Sequence, residues 1–298
     1  MDATAVYRQV EIFVGQTTPA ETHVIVRLPP ALVADGWSIR GQVVGPACMY
    51  SSTLQARIPL RERLSSNSPL SLAVVPDPCF WTPAMPFLYR VEVTLAHRGV
   101  ELPPVVREIG VRPLATRGKS LLLEGKNWVL RGGHEASVAN AVFDDWHDAD
   151  LAMLVGQPGD KSCAEASNIG VLLIAEIEPR TSSLESELDR LTAHPSVGLI
   201  ILPFDASITQ PAAAIARGAI LVQRIAELSA AISPWAQAIL CSATDPSALA
   251  SFAAQSPLPV LVERRLQQPA SGPHDARKDC DHLQRDLAGR SHFAGYIV

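Results

Sequence analysis

Long apolar runs are absent from this 298-residue sequence. No stretch approaches the roughly 18 apolar residues needed to span a bilayer, so no membrane partner is expected. Positive charge is also scarce. Lys plus Arg number 25 against 30 Asp plus Glu, giving a net charge of −5 and a pI near 5.9. A protein that lives on a phosphate backbone is basic, so nucleic acid is not an expected partner either. Charged residues of both signs make up 18%, below the roughly 25% of an average domain, which suits a chain with much of its regular structure buried. The five cysteines, Cys48, Cys79, Cys163, Cys241 and Cys280, are scattered with no C-x-x-C pair. That is neither a disulfide framework nor a zinc spacing, and five free thiols in a reducing compartment are expected. The opening MDATAVYRQVEIF lacks a basic n-region and an apolar h-region, so a cytoplasmic location is expected. There is no G-x-S-x-G for a serine nucleophile and no G-x-G-x-x-G after any strand candidate, which weakens a dinucleotide-binding reading.

Apolar residues are plentiful, at 47% of the chain, and disorder is excluded. As a soft prior, this length corresponds to about two domains. Up to about residue 113 the pattern alternates with period two. The runs are Val10 to Val14, His23 to Leu28, Ser38 to Val44, Leu54 to Leu60, Leu70 to Val75, Phe87 to Leu95 and Val105 to Val111. Short alternating runs separated by Pro, Gly, Asp and Ser predict half-buried antiparallel strands. About seven such strands fit an immunoglobulin-like β-sandwich over residues 1–113.

After residue 114 solid apolar runs alternate with helical patterns. The runs are Val129 to Gly132, Leu151 to Val155, Val171 to Ala175, Leu199 to Leu202, Ala219 to Val222, Ala238 to Cys241, Pro259 to Val262 and Phe293 to Val298. Solid strands between helices predict a parallel sheet buried on both faces. Eight of them suggest a compact α/β barrel of the (β/α)8, or TIM, type over residues 114–298, at about 180 residues smaller than the usual 200 or more. An open doubly wound sheet is the alternative. Ser182 with Glu185 reads as a capping box ahead of Leu184, Leu188 and Leu191. Asp245-Pro246 reads as an N-cap with Pro at the first helical position, and Ala276, Cys280, Leu283 and Leu287 mark one face of the last helix.

Three stretches together resemble glycoside hydrolase family 2, the β-galactosidase and β-glucuronidase group. Phe80-Trp81-Thr82-Pro83-Ala84-Met85-Pro86-Phe87-Leu88-Tyr89 is similar to the family's LWSPExPxLY. Arg107 to Arg112, Leu121 to Lys126 and Val129 to Glu135 resemble the segment leading from sandwich to barrel, FGFRxI…FxLNGKPVxLRGVNxHE. His194-Pro195-Ser196-Val197 is like the start of NHPSVxxWSLGNE. The resemblance implies a retaining β-glycosidase with two carboxylates about 5–5.5 Å apart, one nucleophile and one acid/base. It places the nucleophile at Glu263, ending the seventh strand, and the acid/base at Asp205 after the fourth. Phe204 stands where the family has the Asn that holds the sugar 2-hydroxyl. Asp205 is one methylene shorter than the family Glu, a misplacement that can cost about 10²-fold in rate.

Each candidate has a structural reading beside the functional one. Glu263 is nucleophile or the partner of Arg264 or another arginine, and Asp205 is acid/base or a cap. Glu176 and Glu178 end the third strand, and His134 and Glu135 follow the first; with Arg264 they are the candidate substrate-binding residues. His147, Asp148 and Asp150 lack a metal-ligand spacing, and no metal or cofactor is expected. Trp81, Trp128 and Trp146 stack on sugars or pack in cores. Two functions stay open: a weak or lost retaining hydrolase acting on or binding β-glycosides, or an inactive carbohydrate-binding or protein-interaction scaffold. A carbohydrate or glycoside is the expected ligand in the first.

Overall fold

The computed structural model describes residues 6–7, 9–29, 31–32, 36–63, 70–136, 138, 141–178, 183–202, 218–242, 244–265 and 270–298. The chain divides into two compact units, Met1–Trp81 with Met85–Val111, and Thr82–Ala84 with Arg112–Val298. The first holds β1 (Glu11–Thr17), β2 (Glu21–Arg27), β3 (Trp37–Ala47), β4 (Ala56–Pro59), β5 (Arg61–Arg63), β6 (Leu70–Pro76), β7 (Leu88–His97), β8 (Val100–Glu101) and β9 (Val105–Ile109). One antiparallel sheet has the order β1-β2-β6-β5. The other has the order β4-β3-β7-β8, with β9 also on β7. Alternation does the folding here. Val24 and Val26 of β2 and Val75 of β6 share a buried core with Val43 of β3 and with Val91, Val93 and Leu95 of β7. The residues between them face outward, so the two sheets form a sandwich. Strands β5 and β8, three and two residues long, are too short to show a period.

The second unit opens with an antiparallel sheet that the apolar pattern does not announce: β10 (Leu114–Arg117), β11 (Ser120–Leu123) and β12 (Lys126–Trp128). Glu124 and Gly125 turn the second hairpin with φ of 53° and 74°, the two positive φ values of a type I′ turn.

Eight parallel strands then close on themselves: β13 (Leu130–His134), β14 (Ala152–Gly156), β15 (Leu173–Glu176), β16 (Val197–Leu202), β17 (Ile220–Ile225), β18 (Ala238–Ser242), β19 (Val260–Glu263) and β20 (Gly295–Ile297). Strand β20 pairs with β13, which rules out the open doubly wound sheet. Each predicted apolar run lies on one strand. Helices α1 (Phe143–Asp148), α2 (Asp160–Ile169), α3 (Leu184–Thr192), α4 (Pro246–Gln255) and α5 (Pro273–Leu287) are the helices of this unit among the described residues. Outward strand residues such as Met153, Leu173 and Val262 pack under Leu188, Leu249, Cys280 and Leu283 of the helices. Alternate residues fill the barrel. A Cβ on Gly132 would lie 3.2 Å from Ile174 Cδ1 and 3.3 Å from Ile297 Cγ1, so its side faces the interior.

Helix α4 starts as read, with Asp245 accepting from the Ser247 and Ala248 amides at 2.8 and 3.2 Å. Helix α3 is capped by Ser183, which accepts from the Ser186 amide, rather than by the expected Ser182, which lies outside the described residues. Among the described residues no helix is long and apolar enough to cross a membrane.

Candidate active site at the barrel mouth

Register defines the site. Gly132, Ile174, Val222 and Leu261 stand on β13, β15, β17 and β19, the alternate strands of the barrel. Barrel interiors are built from such layers of four. Two residues further along the same strands stand His134, Glu176, Arg224 and Glu263. An apolar layer is thus followed by a wholly polar one at the C-terminal strand ends, where barrel enzymes place their chemistry. No two of these strands are neighbours, yet the four side chains touch one another. They can meet only across the interior.

Glu263 is the deepest member, 1% exposed. Its Oε2 accepts from Nη1 of Arg224. Its Oε1 lies 2.7 Å from Nε2 of His134 and 3.5 Å from Nε of Arg265, contacts without the angles of good hydrogen bonds. Arg224 also donates through Nε to Oε1 of Glu176 at 2.8 Å, so one guanidinium joins β15 to β19. Its remaining nitrogen, Nη2, is buried with no hydrogen-bond acceptor among the described residues.

A lone buried carboxylate would become neutral. Burial does push the Glu263 carboxyl up, but the His134 contact and the Arg224 charge outweigh it and hold the group at about 2. The carboxylate is therefore ionised at neutral pH. Chemically, the layer offers a buried anion with one oxygen hydrogen-bonded and the other not, a guanidinium between two acids, and an imidazole at the rim.

Sequence reasoning marked His134, Glu176 and Glu263, and the fold brings these three together. It missed Arg224, because the fifth apolar run stops at Val222. The available signal was parity: Ile220, Val222 and Arg224 share the inward face, while Gln223 points outward, donating to Ala231 O at 3.0 Å and accepting from Ser233 N at 2.7 Å. Parity also separates Arg264 from Glu263. Arg264 turns outward to Asp286 of α5, at 2.8 Å, and the arginines on Glu263 are Arg224 and Arg265. Glu135 follows β13 directly, and Glu178 stands two residues past the end of β15 and is exposed. Asp205 lies outside the described residues.

Two of the motif stretches meet away from this layer. Arg112 donates to the carbonyls of His194 at 3.2 Å, Thr192 at 3.3 Å, and Val197. Burial lowers its guanidinium to about 10. Ser196 is fully buried and donates to Cys163 O at 2.8 Å while Ser167 donates to its hydroxyl at 3.0 Å. These residues anchor the start of β16, at the end of the strand opposite the polar layer, so the His-Pro-Ser-Val stretch serves the fold. Trp81 is 1% exposed and Trp146 is 4% exposed. Trp128 and Trp146 line a cavity of about 290 Å³ with Arg131, His147 and Asp150. Among the described residues no group of three or more His, Cys, Asp or Glu side chains is gathered for a metal.

No family model and no curated protein matches the sequence. Solved structures do. A β-glucuronidase from Bacteroides uniformis matches 97% of this chain and 45% of its own at a TM-score of 0.61 and 16% identity. One from Ruminococcus gnavus matches 97% and 60% at 0.65 and 11%. A β-D-glucuronidase from Dictyoglomus thermophilum matches 97% and 61% at 0.63 and 14%. The chain is similar in fold to these enzymes and spans about half of their length.

Proposed function

We propose that this protein is a glycoside hydrolase family 2-like barrel that takes a β-glycoside at its mouth and hydrolyses it slowly, with Glu263 as the reacting carboxylate. The observation that carries this reading is the polar layer itself. An ionised glutamate ends the seventh barrel strand at the position the family resemblance assigns to the nucleophile, and it faces the barrel axis. The fold similarity to β-glucuronidases supports it. Residues 1–113 are proposed as the immunoglobulin-like domain, and residues 114–298 as the barrel domain.

In this reading a Glu263 oxygen forms a bond to the anomeric carbon as the bond to the leaving oxygen breaks. Water then cleaves the glycosyl ester. The leaving group of a natural glycoside needs a proton, and Asp205 is the proposed donor. Aryl glycosides need little of that help because the phenolate leaves with its electron pair unaided. The second reading, a carbohydrate-binding barrel without turnover, is favoured by one contact: Arg224 holds one of the two Glu263 oxygens in a buried ion pair.

Aryl β-glycosides of the gluco, galacto, manno and glucurono series test the proposal against Glu263→Gln. The expected result is slow release of the phenol from at least one series and none from the variant. Release that survives the substitution contradicts the assignment of Glu263. Binding without release selects the second reading. Absence of both binding and release leaves the scaffold role.

A further inference from the structure

Two tryptophans and the cluster around His147 and Asp150 play no part in the polar layer, and they meet elsewhere. Trp128 ends β12 and Trp146 lies on α1. With Arg131, His147 and Asp150 they line the cavity of about 290 Å³, all within the second unit. The cavity lies beside the starts of β13 and β14, where Trp128 precedes Leu130 and Ala152 opens β14. These are the strand ends opposite the polar layer. Gly132 faces the barrel interior, so Arg131 and Gly133 face outward. A Cβ on Gly133 would lie 3.2 Å from Cη2 of Trp146, so the bare glycine lets the indole lie against the strand. On another wall Gly170, with φ of 92°, leaves no room for a side chain against the Pro83 carbonyl. Close backbone contacts thus set the walls, and the cavity is preformed, as ligand sites usually are.

Its polar groups have hydrogen-bonding capacity to spare but no charge to spare. Arg131 donates through Nε to Oδ1 of Asp281 at 3.0 Å and through Nη2 to Oε1 of Gln284 at 2.9 Å, both on α5. Its Nη1 has no acceptor among the described residues. Asp150 holds Oδ2 at 3.2 Å from Nη1 of Arg277, and its Oδ1 has no donor among the described residues. One donor and one acceptor are therefore left for a ligand, while both charges already have counter-charges. A hydroxyl both donates and accepts, and indole rings supply broad apolar contact area. We infer that this cavity is a second saccharide site, taking one neutral pyranose whose hydroxyls meet Arg131 and Asp150 and whose C–H face lies on the tryptophans. The size agrees, since a cavity of about 290 Å³ is at the small end of ligand pockets and suits a single ring. The site stands on the outer wall of the barrel, away from Glu263. It goes beyond the proposed function and holds whether or not Glu263 reacts.

The test is sugar titration followed by the indole N–H signals in proton–nitrogen NMR spectra of the full chain. Five tryptophans give five such signals, assigned by single Trp→Phe substitutions. The probes are the methyl β-glycosides of glucose, galactose and mannose, with methyl β-glucuronide as the charged comparison. At least one neutral glycoside is expected to move the Trp128 and Trp146 signals together, saturating with a Kd of about 1 mM, which is what about a dozen non-hydrogen atoms supply. Trp128→Ala is expected to weaken binding, read on the Trp146 signal, about tenfold, and Trp128→Phe, which keeps a ring, to restore most of it. The same shifts are expected in Glu263→Gln. Shifts that vanish in that variant belong to the mouth and overturn the inference.

Should the variants fail to fold, the natural protein supplies the answer. Neither signal moving with any of the sugars at about 50 mM, well above the expected Kd, overturns the second site, even where the mouth hydrolyses aryl glycosides. A glucuronide bound more than about tenfold tighter than every neutral glycoside overturns the neutral class. Adenosine moving the two signals where the sugars do not assigns the cavity to a planar aromatic ligand and overturns it as well. Shifts without any hydrolysis at the mouth keep the second site and remove the proposed activity, so the two readings fail separately.

Discussion

Replacing Glu263 by Gln keeps the shape of the side chain and removes its charge. The cost follows from two routes. A carboxyl held at about 2 instead of its ordinary 4.5 stabilises the fold by about 3 kcal/mol at neutral pH. Breaking a buried ion pair costs about 3–5 kcal/mol, and the low end applies because Arg224 keeps Glu176 and is 23% exposed. Both routes give about 3 kcal/mol. The folded value is depressed, so the stability is complete above the unfolded value and is lost as pH falls through the folded one. At pH 3 about 2 of those 3 kcal/mol are gone. The gap between the natural protein and the variant should thus narrow from about 3 kcal/mol at pH 7 to about 1 at pH 3. Urea unfolding followed by tryptophan fluorescence measures it, with Trp128, Trp146 and Trp235 reporting on the second unit. A gap below about 0.5 kcal/mol at pH 7, the range of an ordinary surface substitution, or a gap that does not change on acidification, would refute the reasoning.

Arg112→Met strips donors from three carbonyls at the start of β16 and should cost about 2–4 kcal/mol in the same unfolding assay. Burial pushes the thiols of Cys163 and Cys241 up to about 12 and that of Cys280 to about 11. Alkylation of the folded protein at pH 8 should therefore reach at most the half-buried Cys48 and Cys79, and all five after denaturation without reductant. An intact disulfide, or a modified Cys280 in folded protein, would contradict the burial described.

The barrel was legible because its strands are buried on both faces, and a parallel sheet writes itself as solid apolar runs. The same feature hid part of the site. A solid run ends at its first polar residue, and site residues are the polar ones at strand ends. Val222 therefore looked like the end of the fifth strand, although β17 continues through Gln223 and Arg224 to Ile225. Only parity carried past that point. Glu263, Glu176 and His134 were found because the family resemblance drew attention to strand ends, but that resemblance assigned no role to an arginine on the fifth strand. The small sheet of β10 to β12 escaped for another reason. Its strands are three or four residues long, and the turn at Glu124-Gly125 relies on a positive φ for a glutamate, which sequence alone does not advertise. Ser182 and Ser183 are equivalent as letters, and only the placement of the first turn selects the cap.

The central claim is that Glu263 is the reacting carboxylate of a glycoside site. Peptide mapping of the protein after reaction with 2-deoxy-2-fluoro-β-glycosyl fluorides tests it most directly. The account predicts one sugar, esterified to Glu263, and none on the Glu263→Gln variant. A sugar on any other residue, or an unlabelled protein that still binds the sugar, would contradict it.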